Sequence, residues 1–501
     1  MNRTAVYLGL NLGFVTMIAV GLLNGSSSGV HPLYLLALFA LCSSPILQLE
    51  RLNGRYALLA LFSAVYFLFF GILDFFNLIA GASQPPAHDE LLSSTELVIL
   101  VGGALAHAGY RLACWPAAAA SQRASRDWPE TTLVLVGGVL WIVSTWMVWQ
   151  FKVHVIVDTS IENQHRGLAG LGATKSALFI LATYLQPLSI LILAYTQSKY
   201  RRVYMLPVLL AVVLVQLVIG FVVDIKGDAL VGFVIVFLTK LLVEGKIPRR
   251  WLVAGAVFIM LAWPVLQANR TFRGDNGLNH TEAAGNILKT LKLALAAKNT
   301  VTKGPDRANT IFERLSLKGS VEMIVSGTEE KGVAFQNGYT LSPIITAFIP
   351  RLIWPDKPDV QTGLLLNKVF QVSEVEDTYI SPSHLGELYW NFGWTGVIVG
   401  MSMLGLLLGF LGAKLDLTES ATLTRVMIMV LTIRLIILGF ESGIATQYVM
   451  WLRSMLAVGL LHLFLARPIL QPTPAKAGRV KPDQPAPADG KASPYFPNLL
   501  R

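Results

Sequence analysis

Val203-Tyr-Met-Leu-Pro-Val-Leu-Leu-Ala-Val-Val-Leu-Val-Gln-Leu-Val-Ile-Gly-Phe-Val-Val223 contains no charged side chain, and Asp224 follows it. An α-helix rises 1.5 Å per residue, so about 20 such residues cross the hydrocarbon of a bilayer with every backbone polar group bonded inside the helix. Read outward from this run, the same rule predicts helices over 5–23, 31–49, 56–80, 92–113, 131–151, 176–196, 203–223, 228–245, 251–267, 395–413, 421–440 and 447–466. Composition agrees: the 501 residues are 54% hydrophobic and 14% charged, against about 25% charged in a soluble domain. The expected fold is therefore all-α, a polytopic membrane protein of about 12 spans. Residues 342–354 are apolar but short, and Pro343 and Pro350 interrupt them, which predicts a re-entrant or interfacial helix.

Lys and Arg set the sides. Arg51 and Arg55, then Arg111, Arg123 and Arg126, then Lys199, Arg201 and Arg202, then Lys240, Lys246, Arg249 and Arg250 fall on one side if the N-terminus starts there. Loops 24–30, 81–91 and 441–446 have neither residue. The positive-inside rule then places both termini in the cytoplasm and the long 268–394 loop outside. The first apolar run is longer than a signal-peptide core and no small-x-small site follows it, so it reads as a retained helix. Four regions follow: 1–267 with nine spans, the outer loop 268–394, 395–467 with three spans, and a Pro- and Ala-rich tail, 468–501, expected to be disordered.

The outer loop concentrates what the spans lack. Phe348-Ile-Pro-Arg-Leu-Ile-Trp-Pro-Asp-Lys-Pro-Asp359 and Ser381-Pro-Ser-His-Leu-Gly-Glu-Leu-Tyr-Trp-Asn-Phe-Gly393 gather Arg, Lys, His, Glu and Trp among helix-breaking prolines. His384 and Glu387 share one face if a helix begins after Pro382, with Ser381 or Ser383 as its cap. Either side chain suits removal of a proton from a sugar hydroxyl. Trp354, Tyr389, Trp390 and Trp394 suit stacking on pyranose rings or, equally, an interfacial aromatic belt.

Cations surround this island. Arg270 and Arg273, three apart at the end of the ninth span, pair guanidinium forks that suit phosphate oxygens; snorkelling is the alternative. Lys226 in a short outer turn, Arg314, Arg351 and Lys357 complete a basic outer pocket. Arg434 and Arg453 lie inside spans, where a central arginine costs about 2.5–3.5 kcal/mol. Anion binding and an ion pair with Glu441 are both open for them. Asp74 and Glu96 read as helix-packing or interfacial groups.

Other chemistries find no signature. Cys42 and Cys114 form no scaffold, and there is no metal-ligand cluster, Walker loop or nucleotide fingerprint, so neither metal nor cofactor is expected. The formal charge of +10 resides mostly in loops at span ends and implies no nucleic acid. An enzyme of this composition would take substrates already activated and lipid-attached.

The two polar stretches strongly resemble the oligosaccharide repeat-unit polymerase family (Wzy-type, O-antigen polymerases), over about residues 200–460. That resemblance includes the short basic outer turn, where Lys226 stands in place of the arginine many relatives have. It implies a metal-independent membrane glycosyltransferase with a GT-C-like helical core in a bacterial inner membrane, and it favours Glu387 as the base, because Leu385-Gly-Glu-Leu-Tyr389 is the element that best matches the family pattern. Its substrates would be undecaprenyl-pyrophosphate-linked oligosaccharides, and its partners a flippase and a chain-length regulator. An O-antigen ligase acting on lipid A–core, and a lipid-linked oligosaccharide transporter, are the competing readings. Transporters usually carry paired halves with matching broken helices, whereas polar sequence here collects in one loop.

Overall fold

The computed structural model describes residues 2–23, 31–80, 92–114, 126–155, 173–223, 226–257, 292, 316–349, 354, 360–373, 378–418, 420–465 and 467–468. The regular structure of these residues is helical, apart from a two-residue antiparallel pairing of Arg126–Asp127 with Arg467–Pro468. The helices are α1 (Arg3–Leu23), α2 (Pro32–Ser43), α3 (Ala57–Phe70), α4 (Ile72–Ala80), α5 (Ser94–Cys114), α6 (Glu130–Trp149), α7 (Ala173–Tyr200), α8 (Met205–Val223) and α9 (Lys226–Glu244). Residues 268–394 contribute α10 (Lys318–Glu329), α11 (Pro343–Thr346) and α12 (Thr362–Phe370), and then follow α13 (Ser383–Lys414), α14 (Leu423–Thr432) and α15 (Ile444–Leu465).

Seven helices among the described residues are long and apolar enough to cross a membrane, or eight if the bent pair α3–α4 counts as one. The protein is thus a multi-pass, all-α membrane protein. The seven match seven of the twelve expected spans, and the eighth has its break at Gly71, where the axis turns by 51°. The span expected over 31–49 is a 12-residue α-helix that tightens into a 3₁₀ turn at Ser44–Leu47, because Pro45 cannot continue the α ladder. Helices form over 176–196 and 228–245 as α7 and α9, but are not among the seven. Most of the run at 251–267, all of 468–501 except Pro468, and much of 268–394 lie outside the described residues.

The centre of the bundle is the contact between α5 and α13. Small residues let the two backbones meet, as membrane helices without a hydrophobic drive between them require. A Cβ on Gly405 would stand 2.1 Å from the Ala106 carbonyl oxygen, one on Gly409 2.4 Å from that of Tyr110, and one on Gly109 2.6 Å from that of Ser402.

Side-chain and backbone bonds sort the connections into two faces. At one, Tyr110 bonds the Arg55 carbonyl, Leu417 N–H the Asn53 carbonyl, and Tyr195 the Ala421 carbonyl. At the other, His31, Asp74 and Glu96 meet Lys318, while Ser381 bonds the Glu441 carbonyl. The ends of the bundle at Asn53–Arg55, Tyr110, Tyr195 and Leu417–Ala421 thus share a face opposite the one where α10 and the start of α13 dock.

Candidate functional site

α13 begins beside the second face. Pro382 precedes it and Ser383 opens it in a left-handed conformation (φ 57°), with its Oγ accepting from Gly386 N–H at 3.1 Å. Of the two serines considered as caps, Ser383 fills that role, and Ser381 instead reaches the Glu441 carbonyl. The helix then breaks at Phe392 and Gly393, where Gly393 takes φ 59°, ψ −143°, a region open in practice only to glycine. The break sets the two-and-a-half turns carrying His384 and Glu387 apart from the long span Trp394–Lys414, close to the expected boundary at 394.

A break frees carbonyls, and buried carbonyls need donors. The loop before α11 supplies them: Gln336 N–H donates to Trp390 O at 2.9 Å and Asn337 N–H to Asn391 O at 3.1 Å. The Asn391 side chain finishes the joint. Its Oδ1 accepts from Gly338 N–H at 2.8 Å, while its Nδ2 donates to Thr340 Oγ1 at 2.7 Å and to the Glu387 carbonyl at 2.8 Å.

Glu387 is fully buried. Oε2 accepts from Ile444 N–H at 2.5 Å and Oε1 from Thr362 Oγ1 at 3.3 Å. Ile444 is the first residue of α15, so the carboxylate caps that helix and meets the positive end of its dipole. The residue favoured as base therefore joins α12, α13 and α15. His384, one turn earlier, is 1% exposed and packs against the rings of Phe440 (4.9 Å) and Tyr448 (5.6 Å). Neither ring nitrogen has a partner among the described residues. Buried polar groups are nearly always paired, so an imidazole without a partner for either nitrogen among the described residues is a candidate site.

The remaining candidates separate. Arg453 projects from α15, donating to the Ala347 carbonyl at 2.8 Å and the Tyr184 hydroxyl at 3.2 Å. Among the described residues no carboxylate lies within 4 Å of it, so the pairing with Glu441 considered above does not form for Arg453. The guanidinium holds the carbonyl end of α11 and has no counter-charge among the described residues. Arg434 sits in a π turn, Ile433–Ile437, that continues α14. Lys226 opens α9 as its first residue rather than standing in a turn. Tyr389 and Trp390 are core side chains, 2% and 0% exposed, and Tyr389 donates to Glu329 Oε1 at 2.5 Å; neither presents a face to a sugar here. Trp354 is exposed. Arg270, Arg273, Arg314, Arg351 and Lys357 lie outside the described residues.

Sequence reasoning missed Asn391, Thr340, Thr362 and Lys318. Asn391 stands four residues after Glu387, hence on its face, a placement that a helical wheel displays. The spacing Ser93-x-x-Glu96 was also a readable capping box, and both of its hydrogen bonds form, Glu96 N–H to Ser93 Oγ at 3.2 Å and Ser93 N–H to Glu96 Oε2 at 3.1 Å.

No family model, curated protein or solved structure matches the chain.

Proposed function

We propose that this chain is a repeat-unit polymerase, a membrane glycosyltransferase that joins undecaprenyl-pyrophosphate-linked oligosaccharides at the outer face of a bacterial inner membrane. The observation that carries the reading is His384, a buried imidazole at the start of α13 whose two nitrogens have no partner among the described residues. A hydroxyl of the incoming lipid-linked unit attacks the anomeric carbon of the growing glycan. The bond from that carbon to the pyrophosphate oxygen breaks, undecaprenyl pyrophosphate leaves, and the hydroxyl proton passes to His384. Glu387, with both oxygens already engaged, holds the segment in place instead of taking the proton.

Arg453, whose acceptors are a carbonyl and a phenol, supplies positive charge for the pyrophosphate together with Arg270, Arg273 and Arg351. The separation of the Lys- and Arg-bearing connections from the docked outer-loop helices supports an outward-facing site and cytoplasmic termini. In this reading the bundle completes twelve spans around a GT-C-like core.

Deleting the gene in its host tests the proposal. Single lipid-linked repeat units should accumulate, and wild-type chain should restore the polysaccharide ladder while His384→Gln at equal abundance should not. A full ladder from the deletion strain would refute the reading.

A further inference from the structure

The first half of the chain also reaches the site, through a buried knot of charge. Lys318, the first residue of α10, sets its ammonium 2.7 Å from Asp74 Oδ2 and 2.9 Å from Glu96 Oε1. His31 Nδ1 lies 2.5 Å from the other Glu96 oxygen, and the Tyr34 ring lies 4.6 Å beneath the Lys318 ammonium. Four elements thus meet at one point: the N-cap of α2, α4, the first turn of α5, and the start of α10. The backbone adds a tie, because Leu317 N–H donates to the Phe69 carbonyl at 2.9 Å. Burial opposes the Lys318 charge, and the Asp74 and Glu96 carboxylates more than offset it, so the ammonium is held above the ordinary lysine range.

α10 then carries the knot to the site. Its buried Val321 and Ile324 lie over Gly386, where a Cβ would come within 2.9 Å of Ile324 Cδ1, and at its far end Glu329 accepts from Tyr389. Gly386 and Tyr389 flank Glu387 and follow His384 within two turns of α13. A 12-residue helix fixed by charge at its first residue and by a phenol at its last is a strut between the first-half spans and the start of α13.

We propose that Lys318 is a positioning residue, which with Asp74, Glu96 and His31 holds α10 so that α10 sets the register of the α13 segment bearing His384 and Glu387. Its consequence for catalysis rests on the polymerase reading; the mechanical linkage does not.

Amide hydrogen exchange on the full-length protein in nanodiscs tests the linkage without any substrate. Lys318→Met should speed exchange at least tenfold in residues 318–329 and also in 383–391, while 205–223 in α8 stays unchanged. Asp74→Asn, which leaves Lys318 one carboxylate, should give the same pattern at smaller amplitude and decides the matter where Lys318→Met does not assemble. In a polymerisation assay with rates normalised to the amount of folded protein, so that a loss of active protein is already divided out, the Lys318 variant should lose turnover with the same half-saturating concentration of lipid-linked substrate. Release of 318–329 with 383–391 unmoved overturns the proposal, and so does an equal rise in every membrane helix. Failure of the polymerase reading would show separately, as normal polymer from His384→Gln with the exchange pattern intact.

Discussion

Replacing Gly405 with alanine adds one methyl group at the closest point between α5 and α13. Its carbon would stand 2.1 Å from the Ala106 carbonyl oxygen and 2.8 Å from the carbonyl carbon. A carbon–oxygen contact ordinarily closes no nearer than about 3.3 Å, so the helices must part by about 1 Å. The obstacle is backbone, which cannot swing aside as a side chain can. Overpacking of this kind costs about 1–3 kcal/mol, and the seam also loosens at Gly409 and Gly109, which make similar approaches. Alanine returns about 0.5–1 kcal/mol of helix preference, leaving a net loss of about 1–2 kcal/mol. Gly138→Ala is the control: nothing lies within 4 Å of that added carbon, so only the helix preference remains. Reversible unfolding in mixed micelles, followed by tryptophan fluorescence, should move the midpoint down for Gly405→Ala and slightly up for Gly138→Ala. Equal midpoints for the two variants would refute the close backbone contact on which the placement of α13 depends.

Glu387→Gln should remain folded, since an amide can still accept from Ile444 N–H and donate to Thr362 Oγ1, whereas Glu387→Ala leaves a buried helix N-terminus uncapped and should cost about 3 kcal/mol in thermal unfolding. In the proposed mechanism the proton passes to His384, so Glu387→Gln should retain measurable polymer, and complete loss in folded protein would return the base to Glu387. Asn391→Leu removes the acceptor for Gly338 N–H and the donor to Thr340, so exchange at 336–340 should rise about tenfold or more, equivalent to about 1.4 kcal/mol for one buried hydrogen bond; protection unchanged there would count against the joint. With Cys42 and Cys114 replaced, Glu330→Cys should react with an impermeant maleimide from outside and Thr418→Cys should not. The opposite pattern would invert the topology.

The helices were legible because apolar length is a local property, and seven of the expected spans stand where the runs of residues put them. Pro45 and Gly71 divided two of the remaining runs, as prolines and glycines do where the backbone must tighten or turn. That His384 and Glu387 share a helix face was legible from their spacing of three. Their different employment was not: Glu387 caps a helix that begins 57 residues later, and His384 faces the rings of Phe440, in the 3₁₀ turn Leu438–Glu441, and of Tyr448 in α15. Lys318 meets Asp74 and Glu96 across 244 and 222 residues, so no window of sequence contains the knot. Asp74 and Glu96, read as helix-packing or interfacial groups, pair with Lys318 at the start of α10. Tyr389 and Trp390 carried an aromatic pattern that serves equally for stacking on sugars or filling a core, and burial of both faces decided for the core.

Bond formation by the purified chain is the direct test. Proteoliposomes would receive single undecaprenyl-pyrophosphate-linked repeat units extracted from the deletion strain, and products would be read by mass spectrometry. The account predicts lipid-linked glycans of two, three and more repeat units, with one undecaprenyl pyrophosphate released for each bond formed, and no product from His384→Gln. Transfer only when lipid A–core is supplied, or movement of the single unit across the bilayer with no bond formed, would contradict it.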